Sequence, residues 1–184
     1  ANQGYAPSYG ADAITLDVVS KIQTLFEVPD AAVYLTATGT AANTLALACL
    51  CPPWATIYCS PVAHIQEDEC NAPEFFTGGA KLNLVGSDDK LTPTALEQAI
   101  LGTAQGDVHG PQRGPVSLTQ ITEKGRMYTL SELSELCAVA KAYDLPVYMD
   151  GARFANAIVA LGCSAAEMTW QCGIDALTFG GTKN

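Results

Sequence analysis

The chain has 184 residues, of which 48% are apolar, and this suits about one domain with a sizeable buried core. Its 19 acidic residues outnumber the 9 basic ones and give a net charge of −10, which argues against a nucleic-acid partner because phosphate binding needs a basic face. No apolar run reaches the roughly 20 residues of a membrane span and no signal-peptide pattern opens the chain, so we expect a cytoplasmic protein without a membrane partner.

Helices and strands are predicted to alternate after an extended N-terminal arm at residues 1–10. The first predicted helix follows Asp12 as its cap and ends near residue 27. The others span residues 41–50, 94–101, 131–143, 152–161 and 165–171. The predicted strands span residues 31–37, 55–59, 82–85, 116–121, 146–149 and 175–179. This alternation indicates β-α-β units, so residues 11–184 are predicted to form one α/β domain with a mostly parallel sheet.

Four segments that follow predicted strands carry polar residues. Ligands of open parallel sheets bind at the carboxyl ends of the strands, so these segments are expected to meet at one edge. They are residues 38–40, the loop with His64, residues 150–153 and residues 180–183.

The last of these segments ends in an amine. Gly180, Gly181 and Thr182 precede Lys183, and alone this pattern is more typical of a surface turn with a solvated lysine. The alternative is an amine nucleophile for a carbonyl cofactor, since glycines allow a flat group to approach closely.

Residues 38–40, Thr-Gly-Thr, open a helix after a predicted strand. By itself the triplet is more typical of ordinary N-capping by a threonine. The alternative is an anion site, because free backbone N–H groups and two hydroxyls suit a phosphate.

Asp150, Arg153 and His64 each have two interpretations. Asp150 could pair with a protonated heteroaromatic nitrogen and Arg153 with a substrate carboxylate, or the two could form a salt bridge at a helix start. His64 could stack on a cofactor and exchange protons, or have only a surface or packing role. Together with the lysine and the anion site, these groups are what a site for pyridoxal phosphate and an amino acid needs.

Seven scattered cysteines and two histidines form no zinc-binding pattern, so we expect no metal site and reduced thiols.

The motifs resemble those of the low-specificity L-threonine aldolases, which are aspartate-aminotransferase-like (fold type I) pyridoxal-phosphate enzymes. The most specific are Asp-Gly-Ala-Arg-Phe-Ala-Asn-Ala at 150–157 and Phe-Gly-Gly-Thr-Lys-Asn at 179–184. The others are Tyr-Gly-Ala-Asp at 9–12, Thr-Gly-Thr-Ala-Ala-Asn at 38–43, His64, and Thr-Gln-Ile-Thr-Glu at 119–123. The resemblance covers essentially the whole chain and implies a three-layer α/β large domain that binds pyridoxal 5′-phosphate.

The resemblance also implies roles at the cofactor. Lys183 is expected to bind the cofactor as a Schiff base, and Asp150 to keep the pyridine nitrogen protonated. Ala152 is expected to pack beneath the ring, and His64 to stack on its other face.

Further roles concern the phosphate and the substrate. Thr122 is expected near the phenolic oxygen of the cofactor, Arg153 at the substrate carboxylate, and Tyr9 in the site of a neighbouring subunit. The phosphate is expected to be held by Thr38, Gly39, Thr40 and Thr182.

The implied activity is retro-aldol cleavage of L-threonine, L-allo-threonine or other β-hydroxy-α-amino acids, such as phenylserine-like ones, to glycine and an aldehyde. The base is His64 or a water that it holds. Family members form dimers or tetramers with shared sites. They also begin earlier and continue beyond the lysine, so we expect a fragment without the small C-terminal domain, or a chain interrupted near the modified lysine.

Two alternatives stay open at this stage. One is a different reaction on the same scaffold, either β-elimination or transamination. The other is a non-catalytic domain that binds an amino acid or a phosphate.

Overall fold

Five strands form one parallel sheet in the computed structural model, which describes residues 4–183 and leaves residues 1–3 of the predicted arm and Asn184 outside the described residues. The strands are β1 (Thr56–Cys59), β2 (Lys81–Leu84), β3 (Val116–Thr119), β4 (Val147–Gly151) and β5 (Ala176–Phe179). Their order across the sheet is β2-β1-β3-β4-β5, and every neighbouring pair is parallel. The α/β class and the parallel sheet predicted from the sequence are confirmed.

Four helices begin after residues with the side chains expected of N-caps. Asp12, Thr38, Thr92 and Thr129 each accept a hydrogen bond from a backbone N–H of the first turn that would otherwise lack a partner. The helices are α1 (Ala13–Leu25), α2 (Gly39–Leu50), α3 (His64–Glu67), α4 (Ala72–Phe76), α5 (Pro93–Gly102), α6 (Leu130–Ala142) and α7 (Phe154–Leu161). Across residues 4–183, no helix combines the length and apolar character needed to cross a membrane.

Apolar side chains cover both faces of the sheet, which gives three layers. Because side chains alternate along a strand, Tyr58 points to one face while Ile57 and Cys59 point to the other. The first face packs against α5, α6 and α7, and the second packs against α2 through Leu47. Leu47 is fully buried, and burying such a side chain stabilises the fold by about 1.5–3 kcal/mol.

The structure corrects three local predictions. Residues 31–37 are not a strand: they pair with no strand of the sheet in the described part of the chain, and Tyr34 and Leu35 remain 85% and 61% exposed. Residues 165–171 form successive turns instead of a helix. One of these turns is closed by a hydrogen bond from the Thr169 N–H to the carbonyl of Ala166, three positions earlier. The predicted loop with His64 contains the short helices α3 and α4.

Residues 4–10 contain no helix or strand, in keeping with an arm. The boundary between this arm and a domain over residues 11–184 stays a prediction.

Candidate functional site

A cavity of about 460 Å³ lies where β4 and β5 end and α2 begins. This is the edge at which a parallel sheet binds ligands. Most of the residues predicted to form the site line it: Thr38, Gly39, Thr40, His64, Asp150, Ala152, Thr182 and Lys183.

A second cavity of about 230 Å³ adjoins the first and shares His64, Asp150, Ala152 and Lys183 with it. Its wall adds a cation and three groups that can accept hydrogen bonds: Arg153, Asp68, Thr119 and Glu123. The structure therefore brings Arg153 to the same edge as the predicted cofactor residues.

Two predicted residues are not brought to these cavities. Thr122 is buried, its hydroxyl donates to Asp89 Oδ2 at 2.5 Å, and it accepts from the Arg126 N–H at 3.0 Å. β3 ends at Thr119, which lines the smaller cavity, and the expected place of Thr122 near the phenolic oxygen of the cofactor stays a prediction. Tyr9 is fully exposed, and its role in a neighbouring subunit stays a prediction.

Asp150 is a buried carboxylate, only 5% exposed, that is held by two neutral donors. Its Oδ1 accepts from the Ala152 N–H at 2.9 Å, and its Oδ2 accepts from Asn43 Nδ2 at 3.1 Å. None of the ion pairs within residues 4–183 joins it to Arg153, so the alternative of a salt bridge at the helix start is wrong.

Asn43 and Glu69 belong to the site although sequence reasoning did not single them out. Asn43 is 2% exposed, and its Nδ2 also donates to Glu69 Oε1 at 2.8 Å. Its Oδ1 accepts from the hydroxyl of Tyr148 at 2.5 Å, and this hydroxyl lies 2.7 Å from Thr178 Oγ1. The only sequence signals were the place of Asn43 at the end of the 38–43 motif and of Glu69 among the acids after His64.

His64 is held at both its ring and its backbone. Its Nδ1 lies 3.0 Å from Glu69 Oε1, and its backbone N–H donates to Glu123 Oε1 at 2.8 Å. Thr119 Oγ1 donates to the same oxygen of Glu123 at 2.9 Å. The ring is about one-third exposed, so it is oriented by the protein yet open to the cavities.

The ionisation of two groups in this network is shifted by burial. Burial raises the pKa of Glu69, and the charge of Asp150 acts in the same direction, whereas the hydrogen bonds from Asn43 and His64 oppose the shift. Burial also raises the pKa of Tyr148 well above its ordinary value, with a further contribution from Asp150. Tyr148 is therefore a neutral hydrogen-bond donor over the physiological range.

Glycines shape the wall of the larger cavity. A Cβ added to Gly39 would meet no atom within 4 Å, so the first turn of α2 is open. Backbone N–H groups of a first helical turn have no intrahelical partner, which makes them donors for an anion. A Cβ on Gly180 would come within 3.0 Å of the Ala152 backbone, so glycine allows these two strand exits to pack together.

Comparison with known proteins decides the family. Residues 1–184 match the sequence profile of the family described as "Beta-eliminating lyase". The chain belongs to the beta-eliminating lyase family.

A relative in Pseudomonas aeruginosa, named "Low specificity L-threonine aldolase", is 45% identical over 185 residues, which cover 100% of this chain and 53% of that protein. A Schizosaccharomyces pombe relative, named "Probable low-specificity L-threonine aldolase", is 33% identical over 142 residues, which cover 75% of this chain and 36% of that protein.

Solved structures show that the fold is shared with other proteins. The threonine aldolase of Leishmania major matches with a TM-score of 0.84 and 28% identity, covering 91% of this chain and 48% of that chain. An archaeal alanine:glyoxylate aminotransferase matches with a TM-score of 0.61 at 20% identity, covering 81% of this chain and 36% of that chain. The predicted aminotransferase-like fold is thus confirmed. The chain spans about half the length of the two Pseudomonas relatives, 53% of each.

Proposed function

We propose that this chain forms most of the cofactor site of a pyridoxal-phosphate-dependent aldehyde-lyase. The enzyme cleaves L-threonine, L-allo-threonine or other β-hydroxy-α-amino acids to glycine and an aldehyde. The observation that carries this proposal is one cavity lined by Lys183, Asp150, His64 and the first turn of α2. The substrate class is supported by relatives at 45% identity that are named low-specificity L-threonine aldolases.

The groups in the cavity fit pyridoxal phosphate. Asp150 is a buried carboxylate whose side-chain hydrogen bonds within residues 4–183 come from neutral donors, and such a group suits a positively charged partner such as a protonated ring nitrogen. The open N-terminus of α2, with the hydroxyls of Thr38 and Thr40, suits a phosphate. Lys183 is exposed to the same cavity, and its amine suits an aldehyde carbon. Thr182 adds a hydroxyl on the phosphate side.

When bound, pyridoxal phosphate supplies an electron sink for the charge that develops as the Cα–Cβ bond breaks. Asp150 would hold the proton of the ring nitrogen. Arg153 binds the substrate carboxylate, because a guanidinium presents two parallel N–H donors. His64, or a water that it holds, accepts the proton of the β-hydroxyl group. Ala152 provides a small apolar contact for the ring.

We also propose that the protein is a cytoplasmic homodimer or homotetramer in which Tyr9 reaches a neighbouring site. Support comes from large apolar side chains that lack cover. Tyr9 and Tyr34 are largely exposed, and Ile14 of α1 is 72% exposed. Large apolar side chains that are exposed in one subunit can be covered by contact with another subunit. Sedimentation of the full-length protein at several concentrations tests the assembly, and a monomer at all of them would contradict it.

The experiment for the activity uses the full-length protein with the Lys183→Ala and Lys141→Ala variants. Lys141 is an exposed lysine on α6 and serves as the matched control. Lys183→Ala is expected to abolish both the yellow absorbance of the bound cofactor and aldehyde release, while Lys141→Ala keeps both. Asp150→Ala is expected to keep the colour and lose most of the turnover. Retention of colour and activity by Lys183→Ala would contradict the proposal.

β-Elimination is the second candidate, because the family carries that description. Product analysis distinguishes the reactions: glycine with an aldehyde supports the aldolase, and ammonia with a keto acid supports elimination or transamination. A colourless full-length protein that added pyridoxal phosphate cannot restore would favour a non-catalytic binding domain.

A further inference from the structure

Glu69 is a buried carboxylate that has no role in the proposed reaction. Its side chain has no exposed surface, and its Oε1 lies 2.8 Å from Asn43 Nδ2 and 3.0 Å from His64 Nδ1. Its Oε2 is buried without a hydrogen-bond partner in the described part of the chain. A carboxyl group placed in this way destabilises the fold, so its position calls for a physical explanation.

The orientation of Asn43 fixes which atoms donate. Its Oδ1 accepts from the Tyr148 hydroxyl, and its Nδ2 faces both Asp150 Oδ2 and Glu69 Oε1. Carboxylate oxygens accept hydrogen bonds, so the amide nitrogen must lie on the side of the two carboxylates. Glu69 Oε1 is therefore an acceptor, and a proton on Oε2 would have no acceptor. When Glu69 is ionised, Nδ1 of His64 must be the donor in the contact with Oε1.

We propose that Glu69 is a positioning residue, which holds the Nδ1 proton of His64 so that Nε2 is the unprotonated nitrogen available in the cavity. This inference rests on the proposed function, because only a reaction that removes a substrate proton needs such a base. Nε2 takes the proton of the β-hydroxyl, the O–H electron pair forms the aldehyde carbonyl, and the Cα–Cβ bond breaks with its electron pair left at Cα. One proton leaves the hydroxyl and one is added at Cα to give glycine, so the reaction needs no further co-reactant.

Charged groups surround the His64–Glu69 pair on several elements. The positive charge that His64 gains is placed against the carboxylate of Glu69 and is stabilised there. Arg153 and Lys183 line the same cavity and oppose a second positive charge. The acidic and phenolic groups that face the pair are Asp68, Glu123, Tyr148 and Asp150.

The test uses the full-length protein with the Glu69→Leu and Glu69→Gln variants. Glu67→Gln is the control, because Glu67 is an exposed carboxylate on α3, two positions away. Nitrogen-15 spectra of labelled histidine give the tautomer of His64, which is assigned by the signal that His64→Asn removes. These spectra are recorded with and without pyridoxal phosphate, so one readout does not depend on activity. Steady-state kinetics across pH provide the second readout.

We expect neutral His64 to carry its proton on Nδ1 in the wild-type protein and in Glu67→Gln. Glu69→Leu should move the proton to Nε2. It should also lower kcat about 10- to 100-fold with little change in KM, by analogy with the loss of a carboxylate that orients a metal-binding histidine. Glu69→Gln keeps an acceptor but loses the charge, so it should rescue the tautomer. The acidic limb of its kcat/KM profile should move to lower pH.

An Nε2-protonated tautomer in the wild-type protein overturns the inference, even if no Glu69 variant folds. A Glu69→Leu enzyme as active as Glu67→Gln, with the same tautomer as the wild type, also overturns it. A wild-type protein that binds pyridoxal phosphate but releases no aldehyde overturns the proposed function itself. The two failures are therefore distinguishable.

Discussion

The side-chain amide of Asn43 lies 3.1 Å from the carboxylate of Asp150, although the two residues are 107 positions apart in the chain. The same amide nitrogen donates to Glu69, and the amide oxygen accepts from the Tyr148 hydroxyl. One neutral side chain thus serves two buried carboxylates that repel each other. The hydrogen bond from Tyr148 keeps the amide in the only orientation that suits both of them.

We predict that Asn43→Ala lowers the free energy of unfolding of the full-length protein by about 2–4 kcal/mol. Three buried polar groups lose a partner, and each such loss costs about 1–3 kcal/mol unless water replaces it. Urea denaturation at neutral pH measures the change. Asn156→Ala is the matched control, because Asn156 is exposed on α7 and should shift the value by less than about 0.5 kcal/mol. Equal effects of the two substitutions would contradict a central role for Asn43.

A second prediction concerns the pH dependence of stability at Glu69. Burial raises the pKa of this carboxyl group above its ordinary value of 4.5, so the folded state holds its proton more tightly than the unfolded state. The resulting stability is fully present below pH 4.5 and is lost as pH rises through the folded-state pKa. Glu69→Gln removes this loss, so its stability relative to wild type should increase between pH 4.5 and neutrality. A pH-independent difference in urea denaturation would sink this account.

The main elements of the sheet could be predicted from sequence because each strand is a short apolar run bounded by turn residues. Three of the four predicted strand exits follow real strands, and they could be predicted because parallel strands bring their carboxyl ends to one edge. The fourth segment, residues 38–40, reaches the site as the N-terminus of α2. The strand predicted for residues 31–37 was wrong. Tyr34 and Leu35 suit a strand, but their apolar side chains remain largely exposed and the segment pairs with no strand of the described sheet. An apolar pattern cannot distinguish a strand from a segment whose contacts lie elsewhere.

The polar network behind the site could not be predicted. Asn43 sits inside α2 and Glu69 sits between two short helices, so their contacts with Asp150 and His64 exist only once β4 packs beside α2. Thr122 shows that a motif does not give the direction of a side chain. Its motif suggested a place in the site, but the chain turns after β3 and directs its hydroxyl to Asp89. Sequence spacing gives the order of such residues, but not the direction of their side chains.

A third prediction concerns the loop that carries Thr122. Asp89 is buried and binds Arg126 and Thr122, and the hydrogen bonds from Arg126 hold the pKa of this carboxyl group well below its usual range. A lowered pKa gives stability that is present above pH 3.8 and is lost as pH falls through the folded-state pKa. Asp89→Asn should therefore cost about 1–3 kcal/mol at neutral pH, with the difference shrinking in acid.

Asp88→Asn is the control for this prediction, because Asp88 also binds Arg126 but its side chain is 54% exposed. An exposed ion pair contributes less than about 1 kcal/mol, so this variant should be nearly as stable as wild type. If the two variants lose equal stability at neutral pH, burial of Asp89 is not the cause.

The last prediction concerns the close approach of the two strand exits. A Cβ on Gly180 would lie 3.0 Å from both the Cα and the carbonyl oxygen of Ala152, and neither backbone atom can move independently of its strand. A Cβ on Gly181 would meet no atom within 4 Å. Gly180→Ala should therefore destabilise the protein by about 1–3 kcal/mol, whereas Gly181→Ala should change the free energy of unfolding by less than about 0.5 kcal/mol.

The backbone shift caused by Gly180→Ala should also weaken cofactor binding. The Ala152 N–H donates to Asp150 Oδ1 at 2.9 Å, and Lys183 follows Gly180 by three positions, so a shift of this backbone moves both proposed cofactor contacts together. Titration of the full-length Gly180→Ala protein with pyridoxal phosphate, followed by absorbance, should show weaker binding than wild type. Unchanged stability and unchanged binding in this variant would mean that the two exits can separate freely, which the 3.0 Å approach argues against.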